Sequence, residues 1–140
     1  MSEHRPLRGY FPIMPTPYTA EGEVDLPSLS RLVDYLIDHG AQGMSPNGGD
    51  SEAPCLSVAE RKAITETVVA ASDGRAPVLV GTSAVTVEES VELNRHAQQA
   101  GADAVFTHPG WGRQGLSCDE IVEYYDAICS AIDIFKVIVF

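Results

Sequence analysis

The chain has 140 residues, 44% of them hydrophobic and 21% charged, a composition that fits one soluble globular domain able to bury a core. Its formal net charge of −11 argues against nucleic-acid binding and against attachment to anionic membrane surfaces, both of which need a basic face. Cys55, Cys118 and Cys129 show neither C-x-x-C nor zinc-ligand spacing, and their odd number suits a reducing cytoplasm. No signal peptide or membrane-spanning apolar run of about 18 residues is expected.

Residues 1–8 read as an N-terminal tail. Tyr10–Met14 reads as a first strand, running into Pro15-Thr-Pro17. Pro27 marks a first helical turn, and Leu29, Leu32, Val33, Leu36 and Ile37 recur at helical spacing until Gly40, a fitting C-cap. Gly43–Ser45 reads as a second strand. It leads into the loop Ser45-Pro-Asn-Gly-Gly-Asp-Ser-Glu-Ala-Pro-Cys-Leu-Ser57, which ends in a capping box, Ser57-x-x-Glu60. Ile64, Val68 and Ala71 give the second helix an apolar face, while Lys62, in the polar Glu60-Arg61-Lys62 run, reads as solvated surface. Val78–Gly81 reads as a third strand. Thr86-x-x-Glu89 opens a helix with Leu93, Ala97 and Ala100, closed by Gly101. Ala104–Thr107 reads as a fourth strand, followed by His108-Pro-Gly-Trp111. Ser117-x-x-Glu120 opens a helix whose stripe is Ile121, Tyr125, Ile128 and Ile132, and Val137–Phe140 reads as the last strand.

Val78-Leu-Val80 and Val137-Ile-Val-Phe140 are continuously apolar, as strands are when helices cover both faces of a parallel sheet. The order is βαβαβαβαβ. A doubly wound, flavodoxin-like binding domain would be complete at this length, whereas a (β/α)8 TIM barrel needs about 250 residues. The loops favour the barrel. A receiver-type domain needs carboxylates at its first and third strand ends, but these read Met14-Pro-Thr16 and Gly81-Thr-Ser83. A phosphate-binding loop needs glycine or hydroxyl residues where Pro15-Thr-Pro17 stands. Residues 1–140 are therefore expected to be a partial barrel domain, strands one to five, parallel and in sequence order.

Several segments carry a resemblance. They are Thr16-Pro-Tyr-Thr-Ala-Glu-Gly-Glu-Val-Asp25, Leu32-Val-Asp-Tyr-Leu-Ile-Asp-His-Gly40, Glu52-x-Pro-x-Leu-Ser57-x-x-Glu60-Arg61, Ala76-Pro-Val-Leu-Val-Gly-Thr82 and His96-Ala-x-x-Ala-Gly-Ala-Asp-Ala-Val105. In order and spacing, from about Gly9 to Phe140, the chain resembles the dihydrodipicolinate synthase / N-acetylneuraminate lyase family of class I aldolases. The resemblance implies a (β/α)8 barrel, usually a tetramer, that binds pyruvate or another 2-oxo acid as a Schiff base on a sixth-strand lysine. It implies no cofactor. A small 2-oxo acid, in some members with an aldehyde, and a homo-oligomeric dimer or tetramer are the expected partners.

At several positions the chain departs from the family. Where the family has Gly-Thr-Thr-Gly-Glu, it has Gly48-Gly49-Asp50-Ser51-Glu52, so the two threonines that bind the substrate carboxylate and relay protons are missing. Pro109-Gly-Trp-Gly112 replaces the usual tyrosine pair, and its Pro-x-Trp resembles the hydratase-aldolase branch, which takes larger aromatic substrates. Phe140 falls at the catalytic tyrosine position and cannot transfer a proton. The Schiff-base lysine is expected beyond residue 140. Of the chain's lysines, Lys62 belongs to a polar run and Lys136 to the amino end of the last strand, away from the catalytic face.

Gly48, Gly49, Asp50, Ser51 and Trp111 are thus candidate substrate-binding residues, and Asp50, His108 and the Phe140 position are candidate catalytic ones. A carboxylate on Asp50 about 4 Å from a substrate carboxylate would cost roughly 4 kcal/mol at an effective dielectric of about 20. Asp50 therefore points elsewhere, is protonated, or faces a different ligand; Asn47-Gly-Gly-Asp50 also reads simply as a tight turn. His108 is either a base or a structural histidine, and Trp111 lines either a pocket or a subunit contact. Cys55 is a weak nucleophile candidate, and no metal-ligand spacing is present. The alternative to an enzyme is a non-catalytic half-barrel serving as a structural or regulatory subunit.

Overall fold

Proline shapes the first two expected strands. In the computed structural model, which describes residues 7–109 and 115–138, Tyr10–Met14 and Gly43–Ser45 are extended segments rather than continuous strands. Single parallel bridges join them, Ile13 to Ser45 and Met44 to Val78. Pro12 lies inside the first segment, and Pro46 and Pro77 flank the next pairing; a residue without N–H cannot donate to a ladder. Hydrogen bonds still pass between the segments: Met14 N donates to Ser45 O at 3.0 Å, Met44 N to Pro77 O at 3.0 Å and Leu79 N to Met44 O at 2.8 Å.

Three strands follow: β1 (Leu79–Gly81), β2 (Ala104–Thr107) and β3 (Phe135–Ile138). They form one parallel sheet in the order β1-β2-β3, with Leu79 opposite Ala104 and Ala104 opposite Phe135. Every extended segment therefore pairs with its neighbours in sequence. That is the order of a barrel wall, the first half of a (β/α)8 barrel, and it overturns the doubly wound alternative, which needs a 2-1-3-4-5 order. The last strand starts at Phe135, not at Val137, and the third at Leu79, with Val78 keeping only its bridge.

The helices are α1 (Leu26–Asp38), α2 (Val58–Ser72), α3 (Val87–Ala100) and α4 (Cys118–Cys129). Their starts follow local chemistry. Asp25 caps α1, its carboxylate accepting from Ser28 N at 2.9 Å, with Pro27 in the first turn. Complete capping boxes open α2 at Ser57–Glu60 and α4 at Ser117–Glu120, while Thr86 Oγ1 accepts from Glu89 N at the start of α3. Gly40, just beyond the C-cap residue His39, and Gly101, the C-cap of α3, take φ of +89° and +92°, the left-handed turn that ends a helix.

The main core lies between the sheet and the helices. Met14, Met44, Val78, Val80 and Val105 pack in one cluster with Leu29, Val33, Ile64, Val68 and Ala97. Each buried side chain of this size contributes about 1.5–3 kcal/mol before conformational entropy is subtracted. α4 departs from the expected stripe: Tyr124, Tyr125 and Ile128 are buried on it. Ile132 lies past the helix end, in the main core.

The other face of the sheet alternates large and absent side chains. Phe11 Cε1 is 2.1 Å from where a β-carbon on Gly43 would stand. Ile13 and Phe106 crowd Gly48 in the same way, at 2.8 and 3.3 Å. Glycine lets aromatic rings fill this inner space.

Candidate functional site

The loops after the parallel segments share the carboxyl end of the sheet, and polar contacts join them in order. Thr16 Oγ1, beyond the first segment, donates to Ser51 O at 2.7 Å. The 47–52 loop, after the second segment, abuts Gly81 at the end of β1. Ser83, past β1, accepts from His108 N at 2.9 Å, just past β2.

The 47–52 loop is held from inside. Asn47, 1% exposed with φ +60°, donates through Nδ2 to Arg61 O at 2.9 Å and Thr65 Oγ1 at 3.0 Å. Ser51, also 1% exposed, donates from Oγ to Met14 O at 2.6 Å and accepts from Gly48 N at 3.0 Å. Ser51 N returns to Gly48 O, and Glu52 N, at φ +58°, to Gly49 O. Gly49 and Asp50 stay exposed, and their N–H groups make no hydrogen bond among the described residues. Two adjacent unbonded N–H donors on an exposed tight turn can hold an anionic group.

Arg61, within the polar Glu60-Arg61-Lys62 run, is buried. It is 4% exposed, and its guanidinium donates to Ser83 O at 2.8 Å and Gly81 O at 3.0 Å. Burial pushes its pKa down to about 10, against the raising influence of Glu89 and Tyr124, so it stays protonated at neutral pH. The signal was in the sequence: the buried positions of α2 are 61, 64, 65, 68 and 72, and Arg61 stands one turn before Ile64 on that stripe.

A second polar group lies behind His108. Tyr124, 2% exposed, donates its hydroxyl to His108 O at 3.1 Å, with Thr107 Oγ1 3.4 Å and Ser90 Oγ 3.2 Å from it. The half-buried His108 ring has Nδ1 3.0 Å from Pro109 O. A carbonyl can only accept, so Nδ1 is the donor in this contact, which leaves Nε2 as the nitrogen that carries the lone pair whenever the ring is neutral. Sequence reasoning missed Tyr124 by following 121, 125, 128 and 132, although 121, 124, 125 and 128 is an equally regular face.

The structure thus brings Gly48, Gly49, Asp50 and Ser51 into one loop and His108 to a neighbouring strand end. Trp111 and Phe140 lie outside the described residues. Lys62 pairs with Glu92, and Lys136 sits early in β3, opposite Val105. Cys55 is exposed in a short 3-10 turn, Ala53–Cys55, between the loop and α2. His39 is exposed, and the partly covered His96 has Nε2 2.8 Å from Glu66. Among the described residues there is no group of three or more His, Cys, Asp or Glu able to hold a metal, and no helix long and apolar enough to cross a membrane.

Comparison with known proteins adds the wider setting. The sequence pattern of the dihydrodipicolinate synthetase family matches residues 6–140. The fold is similar to the crystal structure of YagE, a prophage protein of the dihydrodipicolinic acid synthase family from Escherichia coli K12, in complex with pyruvate. The TM-score is 0.88 and the identity 32%, over 93% of this chain and 43% of that one. N-acetylneuraminate lyase from Mycoplasma synoviae is similar at TM-score 0.89 and 27% identity, over 94% of this chain and 46% of that one. In sequence, 4-hydroxy-tetrahydrodipicolinate synthase of Pelobacter propionicus is 35% identical over 133 residues, 94% of this chain and 45% of that protein. The chain spans less than half the length of each of these relatives.

Proposed function

The chain belongs to the dihydrodipicolinate synthetase family, and from that membership we propose that it is the amino-terminal half of a lyase or synthase acting on pyruvate or a related 2-oxo acid through a Schiff base. The chemistry is aldol-type: a carbon–carbon bond forms or breaks beside the iminium carbon, in some branches with hydration. The observation that carries this reading is the likeness, across nearly the whole chain, to a relative crystallised with pyruvate.

Each residue then has a task. The Schiff-base lysine lies outside residues 1–140, because Lys62 is paired with Glu92 and Lys136 lies in β3 toward its amino end. Without the threonine hydroxyls, the unbonded N–H groups of Gly49 and Asp50 hold the substrate carboxylate, on a turn set by Gly48 and Ser51. Asp50 turns its carboxylate away from that anion. His108 supplies the proton transfer that Phe140 cannot. A cytoplasmic homo-oligomer, dimer or tetramer, is the proposed assembly.

Borohydride reduction of the full-length protein with pyruvate tests the reading. The expected product is a stable adduct on a lysine outside residues 1–140. If intact protein yields no adduct, the Schiff-base assignment fails.

A second reading, a non-catalytic half-barrel subunit, is favoured by one observation. Large apolar side chains are exposed at both limits of the wall: Tyr10 at 67%, Ile13 at 41% and Phe135 at 51%. Such edges need cover. This reading expects the 140-residue chain to dimerise or to bind a chain that supplies the other half. A monomer at micromolar concentration in light scattering would dismiss it.

A further inference from the structure

His108 is held on both sides of its backbone by side chains from other elements. Its N–H donates to Ser83 Oγ at 2.9 Å, and its carbonyl accepts from the Tyr124 hydroxyl at 3.1 Å. Both residues are 2% exposed. Thr107 Oγ1 lies 3.4 Å from Ser83 Oγ and 3.4 Å from the Tyr124 oxygen, so hydroxyls bridge the two holding groups. Neither anchor is loose. Arg61 donates to Ser83 O at 2.8 Å, and Ser90 Oγ, which accepts from Ala84 N at 3.0 Å, meets the Tyr124 hydroxyl at 3.2 Å.

A buried hydroxyl is costly unless it is bonded, and an apolar side chain could fill the same volume without that demand. Here the hydroxyls converge on the one residue where the chain leaves β2 for the carboxyl-end face. They act on the backbone, while the imidazole has Nδ1 3.0 Å from Pro109 O. Turning the His108 backbone would swing Nε2, and a misplacement of about 1 Å can cost roughly a hundredfold in rate.

We propose that Tyr124 and Ser83 are positioning residues for His108, fixing its backbone so that Nε2 is presented as the proton-accepting nitrogen on the carboxyl-end face. The inference rests on the reading of His108 as the proton-transfer group. In that step the C3 methyl of the pyruvate Schiff base gives its proton to Nε2, and the C–H electron pair moves into the iminium to give the enamine. In D2O the reverse step returns a deuteron.

The test uses the full-length protein with pyruvate as probe, reading methyl exchange in D2O by proton NMR and Schiff-base formation by borohydride trapping. Tyr124→Phe removes one oxygen and Ser83→Ala another, while Ser83→Thr keeps the hydroxyl. Loss of positioning should lower the saturating exchange rate about 10–100-fold in Tyr124→Phe and Ser83→Ala. Half-saturating pyruvate and trapping should stay within about twofold, and Ser83→Thr should recover most of the rate. Unchanged exchange in both variants overturns the proposal, as does a rate loss matched by loss of folded protein in circular dichroism. Nitrogen-15 spectra of the His108 ring decide the matter without turnover. They should show an Nδ1–H tautomer in the parent and a mixture in Tyr124→Phe, and identical ring spectra would sink the idea. No trapping in the parent condemns the Schiff-base reading, while the ring spectra still judge the positioning.

Discussion

The carbonyl oxygen of Asn47 stands 2.2 Å from the point that a β-carbon on Gly81 would occupy. Two backbones, one entering the 47–52 loop and one ending β1, meet without a side chain between them. Neither can give way easily, because Asn47 is tied by its amide to α2 and Gly81 N donates to Pro46 O at 2.9 Å.

Gly81→Ala should therefore lower the unfolding free energy by about 1–3 kcal/mol, the usual cost of an over-packed site. The Phe106 ring also touches that point, at 2.9 Å, so Phe106→Leu is the control. Because the closer obstacle is a backbone oxygen, adding Phe106→Leu should not rescue Gly81→Ala. Urea denaturation of the single and double variants provides the check, and full recovery in the double variant would contradict this account.

Arg61→Ala leaves the carbonyls of Gly81 and Ser83 without the donor they now share. With about 1–3 kcal/mol for each buried unpaired acceptor, a loss near 3 kcal/mol is expected. Arg61→Lys keeps a charge but offers a point donor in place of a fork, so it should recover only part of the loss. Denaturant midpoints rank the variants, and a Lys variant as stable as the parent would refute the two-carbonyl role.

Ser57→Ala removes the start of α2 and should cost about 1 kcal/mol at pH 7. Bonds from the Ser57 side chain and then its backbone hold the Glu60 carboxyl below the ordinary carboxylate range. A group with a lowered folded pKa stabilises fully above its unfolded value, about 4.3 for Glu, and loses that contribution as pH falls through the folded value. The gap between parent and Ser57→Ala should therefore narrow between pH 7 and pH 3. It should not close, because Glu60 N still donates to Ser57 Oγ. Equal gaps at the two pH values would show that the carboxylate half of the box is idle.

Asp50→Asn tests what lies next to the loop. If a substrate carboxylate sits by the N–H groups of Gly49 and Asp50, removing the neighbouring negative charge should lower half-saturating pyruvate about tenfold, near 1.4 kcal/mol. Solvent screening of an exposed residue keeps the effect well below the roughly 4 kcal/mol of an unscreened pair at 4 Å. The gain should shrink in 0.5 M salt. A salt-independent change, or none, would place the ligand elsewhere.

Helix starts and strand order were legible because they rest on local rules. Ser57-x-x-Glu60 and Ser117-x-x-Glu120 are complete boxes, and Gly40 and Gly101 end helices as glycines do. The parallel order followed from apolar runs and from loops unsuited to a doubly wound domain. What escaped notice depends on distant partners. Nothing near Ser51 announces a bond to Met14 O across 37 residues. Nothing near Arg61 announces carbonyls 20 and 22 residues further on. The first two strands shrink to bridges for a reason visible in the sequence, the prolines at 12, 46 and 77, each of which removes an N–H from the ladder.

The 47–52 loop separates its duties by position. Asn47 and Ser51 point inward and hold the turn, while between them Gly49 has no side chain and Asp50 makes no side-chain hydrogen bond among the described residues. Substitutions at 49 and 50 can therefore change what the loop meets without asking the barrel to refold. In evolutionary terms it is an exchangeable pair in a fixed mount, a place where a lineage can try new ligand chemistry with little risk to its scaffold.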